Sequence, residues 1–338
     1  MTAKTRYFLF GSVIVLILGL SIGLVAYYGG VPSNLFSSQR GPAELKYVPG
    51  DAGVVAFANV RHVMDSDLRQ RLRQLEGATA EGRQEFQVHT GIDVERDIDR
   101  VVAWMGPKTA GHKSAGLVIA RGRFDSTKLE GLATEHGGTV QDYQGTRIVV
   151  AKGGGERGHD AEFAMAFLEP GLVALGSGDM VRLAVDRGRG GNSALDSAEL
   201  MKRVAGLDDP SVWAVGNVDV VSAYATLPSE VTDRMPPITW FVASGRVNGG
   251  LEATVKAEAR DEQGAANLRD LIRGFVALAR LQADSQPSAR GVLPNFQLSG
   301  EGNEVALSFS VTTEMLDAIN ALRSKSGRKK TTGEGGAN

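Results

Sequence analysis

From Phe8 to Ala26 the chain reads FLFGSVIVLILGLSIGLVA, about 19 residues without a charged side chain. No other segment limits so strongly where a chain like this can place itself. As a helix rising ~1.5 Å per residue the run extends roughly 28 Å, close to the thickness of a bilayer's hydrocarbon core. Tyr7 on one flank and Tyr27 and Tyr28 on the other suit the two interfaces, where a ring and a hydroxyl are both accommodated. Lys4 and Arg6 precede the run and the next charge is Arg40, so the positive-inside bias predicts the N-terminus in the cytoplasm and the body outside. The expectation is a cytoplasmic stub at 1–7 and a transmembrane signal anchor in the inner membrane at 8–28. A body in the periplasm or another extracytoplasmic space follows.

Two other readings of the run stand beside this one. A cleaved signal peptide has an apolar region of ~7–15 residues and a small-x-small cleavage site. Here the run is longer and ends in bulky Tyr27 and Tyr28. A buried globular helix is the third reading. Gly19 and Gly23 form a GxxxG pair, which permits a weak homodimer through close helix approach.

The chain as a whole has ordinary globular composition, 42% hydrophobic and 22% charged, and a net charge of -2. That charge argues against a general nucleic-acid binder. Cysteine is absent, which removes disulfides, thiolate metal sites and a cysteine nucleophile. Residues 29–42 are small and turn-rich and read as a linker; residues 324–338 lack apolar periodicity and read as a disordered tail.

Between them lies an internal echo. The window from Asp51 to Val63 can be laid without a gap on Asp209 to Val221, and six of thirteen positions agree. Among them are Ala56 with Ala214 and Asn59 with Asn217. The order of strand-like and helix-like segments after each window is also the same, which predicts units at 43–192 and 193–323. The strands alternate. Leu251, Ala253, Val255, Ala257 and Ala259 share one face, and Glu252, Thr254, Lys256, Glu258 and Arg260 share the other. Val305, Leu307 and Phe309 alternate with Ala306, Ser308 and Ser310 in the same way. Such strands belong to antiparallel sheets with one wet face. Leu268, Leu271, Ile272, Phe275 and Leu278 follow helical spacing and predict a buried stripe. The fold class expected is α+β: an N-terminal transmembrane helix followed by two tandem, mostly antiparallel two-layer α/β-sandwich repeats of ferredoxin-like type.

No reactive constellation emerges. Of the five histidines, His89 and His136 precede glycines at helix ends, His62 has no counterpart in the second window, and His112 lies in a loop. Gly153-Gly-Gly155-Glu156-Arg157-Gly158 contains GxGxxG, but a strand follows it where a dinucleotide site needs a helix N-terminus. Glu156, His159 and Asp160 are the one group whose side chains suit a weak metal site or a hydrolase. Asn59, Asn217, Asp125 and Asp261 read as helix caps, Thr127 with Glu130 as a capping box, and Trp104, Trp213 and Trp240 as core. No catalytic, cofactor-binding or metal-ligating residue is assigned, and no cofactor is expected.

The segments YVPGDAGVVAFANV (from Tyr47), FDSTKLEGLATEHGG, YQGTRIVV and LVALGSGDMVRLAVD resemble a loosely defined group of membrane-anchored or exported bacterial proteins with repeated α+β units. The group has no characterised member, so the resemblance implies topology and no activity. The function expected is a non-catalytic binding or assembly module of the envelope, with an envelope protein as partner. Alternatives are a carrier or chaperone for an apolar or lipidic ligand, and a hydrolase with a dispersed site.

Overall fold

A computed structural model describes residues 41–69, 79–106, 116–154, 160–220, 236–247, 249–285 and 295–315. The first strand, β1 (Val54–Ala58), is an unbroken apolar run because both of its faces are covered. It leads into α1 (Val60–Met64), which Asn59 caps by accepting a hydrogen bond from the His62 amide. After α2 (Thr79–Thr90) and α3 (Val94–Asp97) come β2 (Ile98–Met105), β3 (Gly116–Gly122) and α4 (Ser126–Glu135). A meander follows through β4 (Thr139–Tyr143), β5 (Thr146–Gly154), β6 (Asp160–Glu169) and β7 (Leu172–Ser177), closed by α5 (Gly178–Gly188). The second half contains α6 (Ala198–Ala205), β8 (Val212–Asn217), β9 (Ile238–Val247), β10 (Leu251–Ala259), α7 (Glu262–Ser285), β11 (Asn295–Ser299) and β12 (Glu304–Val311).

All these strands form one antiparallel sheet of twelve, in the order β11-β12-β10-β9-β8-β1-β2-β3-β7-β6-β5-β4. This corrects the expected fold class. In place of two tandem sandwiches there is a single sheet, because the first strand of each half pairs with the other. Ladder hydrogen bonds are made by backbone groups, so side-chain alternation says which way a strand faces and nothing about which edge it joins. The anchor also needs correction. Among the described residues no helix is long and apolar enough to cross a membrane. The run at 8–28, with Gly19 and Gly23, lies outside the described residues, as does the tail.

The seam between the halves has a local twofold character. Val54 pairs with Gly216, Ala56 with Ala214 and Ala58 with Val212, so the residue pair at the centre is the one the two windows share. The Asn59 amide donates to Ser211 O and the Asn217 amide to Gly53 O, both at 2.8 Å. Matching details continue outward. The β2–β3 register skips Asp99 and the β9–β10 register skips Thr239, each one residue after an isoleucine. Gly122 donates to Gly171 O and Ala259 to Asn303 O, both at 2.9 Å.

One face of the first half is sealed by α5, α6 and two 3₁₀ turns, Ala43–Tyr47 and Ala194–Asp196. They pack Leu45, Val181, Val185 and Leu200 onto Val55, Val102, Ile119 and Trp213. The opposite face takes Val60, Val63 and Leu129 from α1 and α4 against Val101, Val118 and Val173. Helices therefore cover both faces here, not one. In the second half α7 lies on that opposite face, burying Ala265 and Leu268 against Ala259 and Val305. Its expected stripe ends early: Phe275 and Leu278 are exposed.

Candidate functional site

Strands β10, β12 and β11 present their apolar residues to α7, which leaves the alternate residues on the face that α5 and α6 cover in the first half. No described element covers this face beyond β9. It forms an open polar groove of about 390 Å³ with Asp208, Arg246, Glu252, Thr254, Gln297 and Ser308 in its walls. The register explains the grouping. Thr254 sits opposite Ser308 on β12, and Ser308 opposite Gln297 on β11, so three polar side chains line up across three strands. Thr254 Oγ1 and Ser308 Oγ are 2.9 Å apart.

Arg246, next to the end of β9, pairs with the exposed Asp208 at 2.7 Å, while its buried Nε has no hydrogen-bond partner among the described residues. An orphaned donor in a groove wall is a point where a ligand carbonyl or carboxylate gains a hydrogen bond at little desolvation cost to the protein. At the inner rim Arg203 stacks over Trp240 at 4.3 Å and pairs with Glu258 at 2.7 Å. The arrangement offers hydroxyls, amides and paired charges. Among the described residues no three His, Cys, Asp or Glu side chains converge on a metal position.

A second polar cluster ties the 3₁₀ turn at Ala43–Tyr47 to the sealed face. Glu44 is 1% exposed and its Oε1 accepts from Arg121 Nε at 2.5 Å. Arg121 also reaches Glu169 at 3.2 Å, which takes Lys46 at 2.6 Å and the Tyr47 hydroxyl at 2.7 Å. The Lys46 hydrogen bond, then that of Tyr47, hold the Glu169 carboxyl down to about 2 against the pull of burial. Burial, then the bond to Glu169, raises the Tyr47 phenol above its ordinary value. Every group here is engaged with another of the cluster, so the cluster acts as a staple.

The residues singled out in the sequence fall as follows. Glu156 and His159 lie outside the described residues, and Asp160 opens β6 in a hairpin with β5, so the GxGxxG loop joins two antiparallel strands. His136 caps α4, with Nδ1 2.7 Å from Leu132 O and Gly137 next at φ 91°. His89 makes the same bond to Glu85 O at 2.8 Å. His112 lies outside the described residues. Asp125 caps α4 by accepting from the Lys128 amide, which displaces the expected Thr127–Glu130 capping box; Glu130 instead pairs with Arg147 at 2.7 Å. Trp104 and Trp213 are buried, and Trp240, partly buried, packs against the same core from the groove side.

The wet face of β10 and β12 was readable as alternation, but Asp208 and Arg246 gave no signal, being joined to it only through strand pairing. The seam that a carrier would need as a cleft is filled by Val55, Trp213 and Val215. Fold and groove together define the class: an antiparallel α+β protein whose single sheet has one half sealed on this face and the other left uncovered by the described residues. No protein-family model, curated protein or solved structure matches this chain.

Proposed function

We propose that this chain is a non-catalytic binding or assembly module of the bacterial envelope, engaging a protein partner through the open polar half of its sheet. Its body lies at the outer face of the cytoplasmic membrane, with residues 8–28 in contact with lipid. The observation that carries the binding reading is the asymmetry of the sheet. One and the same face is closed under α5 and α6 in the first half and bare of described elements in the second. A sheet face rich in hydroxyl and amide groups, with an unpartnered Arg246 Nε, supports recognition of a polar protein surface or an extended strand. The placement is supported by the uncharged run and its basic flank.

The test is a pull-down of the tagged full chain from detergent-solubilised membranes, beside a Thr254→Arg/Ser308→Arg double variant. Both changes put bulky cations in the middle of the groove floor. The expected result is a co-purifying protein that the variant loses at unchanged abundance. Recovery of the chain alone, or of the same partner with both proteins, defeats the binding reading. A C-terminal reporter active only in the cytosol defeats the placement.

A further inference from the structure

The first half's counterpart of α7 is α4, with 10 residues; α7 has 24. Its N-terminal half explains itself by packing: Ala265, Leu268 and Ile272 bury against the sheet. From Arg273 to Leu281 the helix is mostly exposed: of the positions described there only Val276 is not, and Arg273, Val276, Ala277 and Arg280 border a cavity of about 220 Å³ against Phe296, Leu298 and Leu307. Yet this exposed part is the more apolar one. Phe275 is 62% exposed, Leu278 52% and Leu281 67%. At 100° per residue these three fall within one arc of about 120°, and Arg273 and Arg280 lie together on the other flank, Arg273 paired with Asp270 at 2.8 Å. No carboxylate occurs between Leu271 and Leu281.

We infer that the C-terminal half of α7 docks on an anionic lipid surface, with Phe275, Leu278 and Leu281 entering the interface. An exposed helix with Phe and Leu on one face and arginine on the other is the pattern of an interfacial helix. Magnitude argues against a second copy as the occupant. The three side chains expose on the order of 300 Å² of apolar surface, while a stable dimer needs roughly 800 Å² per partner. For lipid contact so small a patch is enough if the body is already held nearby. Residues 29–40 separate the apolar run from the first described residue, and twelve residues reach at most about 42 Å. A body of this size has a radius of gyration of about 19 Å, so the tether lets α7 reach the bilayer and keeps its effective concentration there high. α7 and the open groove lie on opposite faces of the sheet. Docking therefore turns the groove away from the bilayer, towards a partner in the envelope.

This inference rests on the proposed placement of the body, and the experiment separates the two. The chain has no cysteine, so Leu278→Cys in the full chain gives a single attachment point for a polarity-sensitive fluorophore. Val140→Cys, on edge strand β4 at the far end of the sheet, gives the control. The labelled proteins are reconstituted into vesicles of phosphatidylcholine, with or without phosphatidylglycerol, and floated. The expected result is co-flotation in both lipids, with an apolar-type emission at 278 only when phosphatidylglycerol is present. High salt should return it to the aqueous value as screening shortens. Arg273→Gln/Arg280→Gln should lower the docked-to-free ratio by up to roughly fivefold per arginine. Co-flotation with a water-exposed label at 278 in anionic vesicles overturns the docking and leaves the placement standing. Failure to float overturns the placement, and the docking with it. Equal burial of the label in both lipids overturns the role of the arginines. A label exposed in pure lipid but protected in native membranes assigns the helix to a protein partner instead.

Discussion

Replacing Arg121 with methionine isolates the most deeply buried charged side chain among the described residues, Glu44. Glu44 is buried to 1% exposure, and the Arg121 guanidinium at 2.5 Å is its one side-chain partner among the described residues; its Oε2 has none. Removing one member of a buried pair strands the other, at a typical cost of 3–5 kcal/mol. Because Arg121 is itself 30% exposed, the lower end applies, about 3 kcal/mol. Glu169 would keep Lys46 and Tyr47, so little is added there. For a body of about 300 residues this corresponds to a fall in Tm of roughly 5 °C. Urea unfolding followed by the buried Trp104 and Trp213 would read it, with Glu44→Leu/Arg121→Met as the closing corner of a double-mutant cycle. With no charge left to strand, that double variant should lie within about 1 kcal/mol of the parent. A single variant costing under 1 kcal/mol, or a double variant worse than the single, would refute the view that Glu44 is held as a paired ion.

The remaining predictions follow from other parts of the sheet. Glu169, held down to about 2 from 4.5, binds its proton more weakly when folded, so its contribution is full above pH 4.5 and disappears as pH falls towards 2. Its side chain is 34% exposed, so after solvent screening this is worth about 1–2 kcal/mol, and Glu169→Gln should abolish that part of the acid slope in pH-dependent urea titrations. Gly122→Ala should cost at least about 2 kcal/mol, since an added Cβ meets Asp97 O at 2.0 Å and both groups are fixed by the sheet. Asn59→Ala should cost about 1 kcal/mol through the lost cap of α1, read by the same titration. By contrast Phe275→Ser should leave the urea midpoint almost unchanged, within about 0.5 kcal/mol, because the side chain is mostly in solvent.

Much of the local structure was legible because local physics produces it. Asn59 and Asp125 announce helix starts through a side-chain oxygen that reaches the amide three residues on. His136-Gly137-Gly138 announces a helix end because glycine accepts the left-handed conformation that follows. The alternation in Leu251–Arg260 correctly gave one greasy and one wet face to β10, and that wet face became the groove. Where local reading failed, a distant partner was responsible. Phe275 and Leu278 continue the helical period of Leu268 and Ile272, but the period cannot say how wide an arc of the helix the sheet covers, and both fall outside it. Thr127 and Glu130 had capping-box spacing, but Asp125 and Arg147 bonded first.

The sequence alone determined the elements, their facing, and the shared window around Ala56 and Ala214, since propensity, caps and hydrophobic period all act over a few residues. Only the tertiary structure decided that β1 and β8 join edge to edge, making one sheet of two halves, and that the described residues leave one face of the second half uncovered. The bonds of that seam run between backbone amides and carbonyls, which are the same for nearly every residue. The choice of edge is therefore made by how the covering helices pack, and the sequence of either strand does not record it.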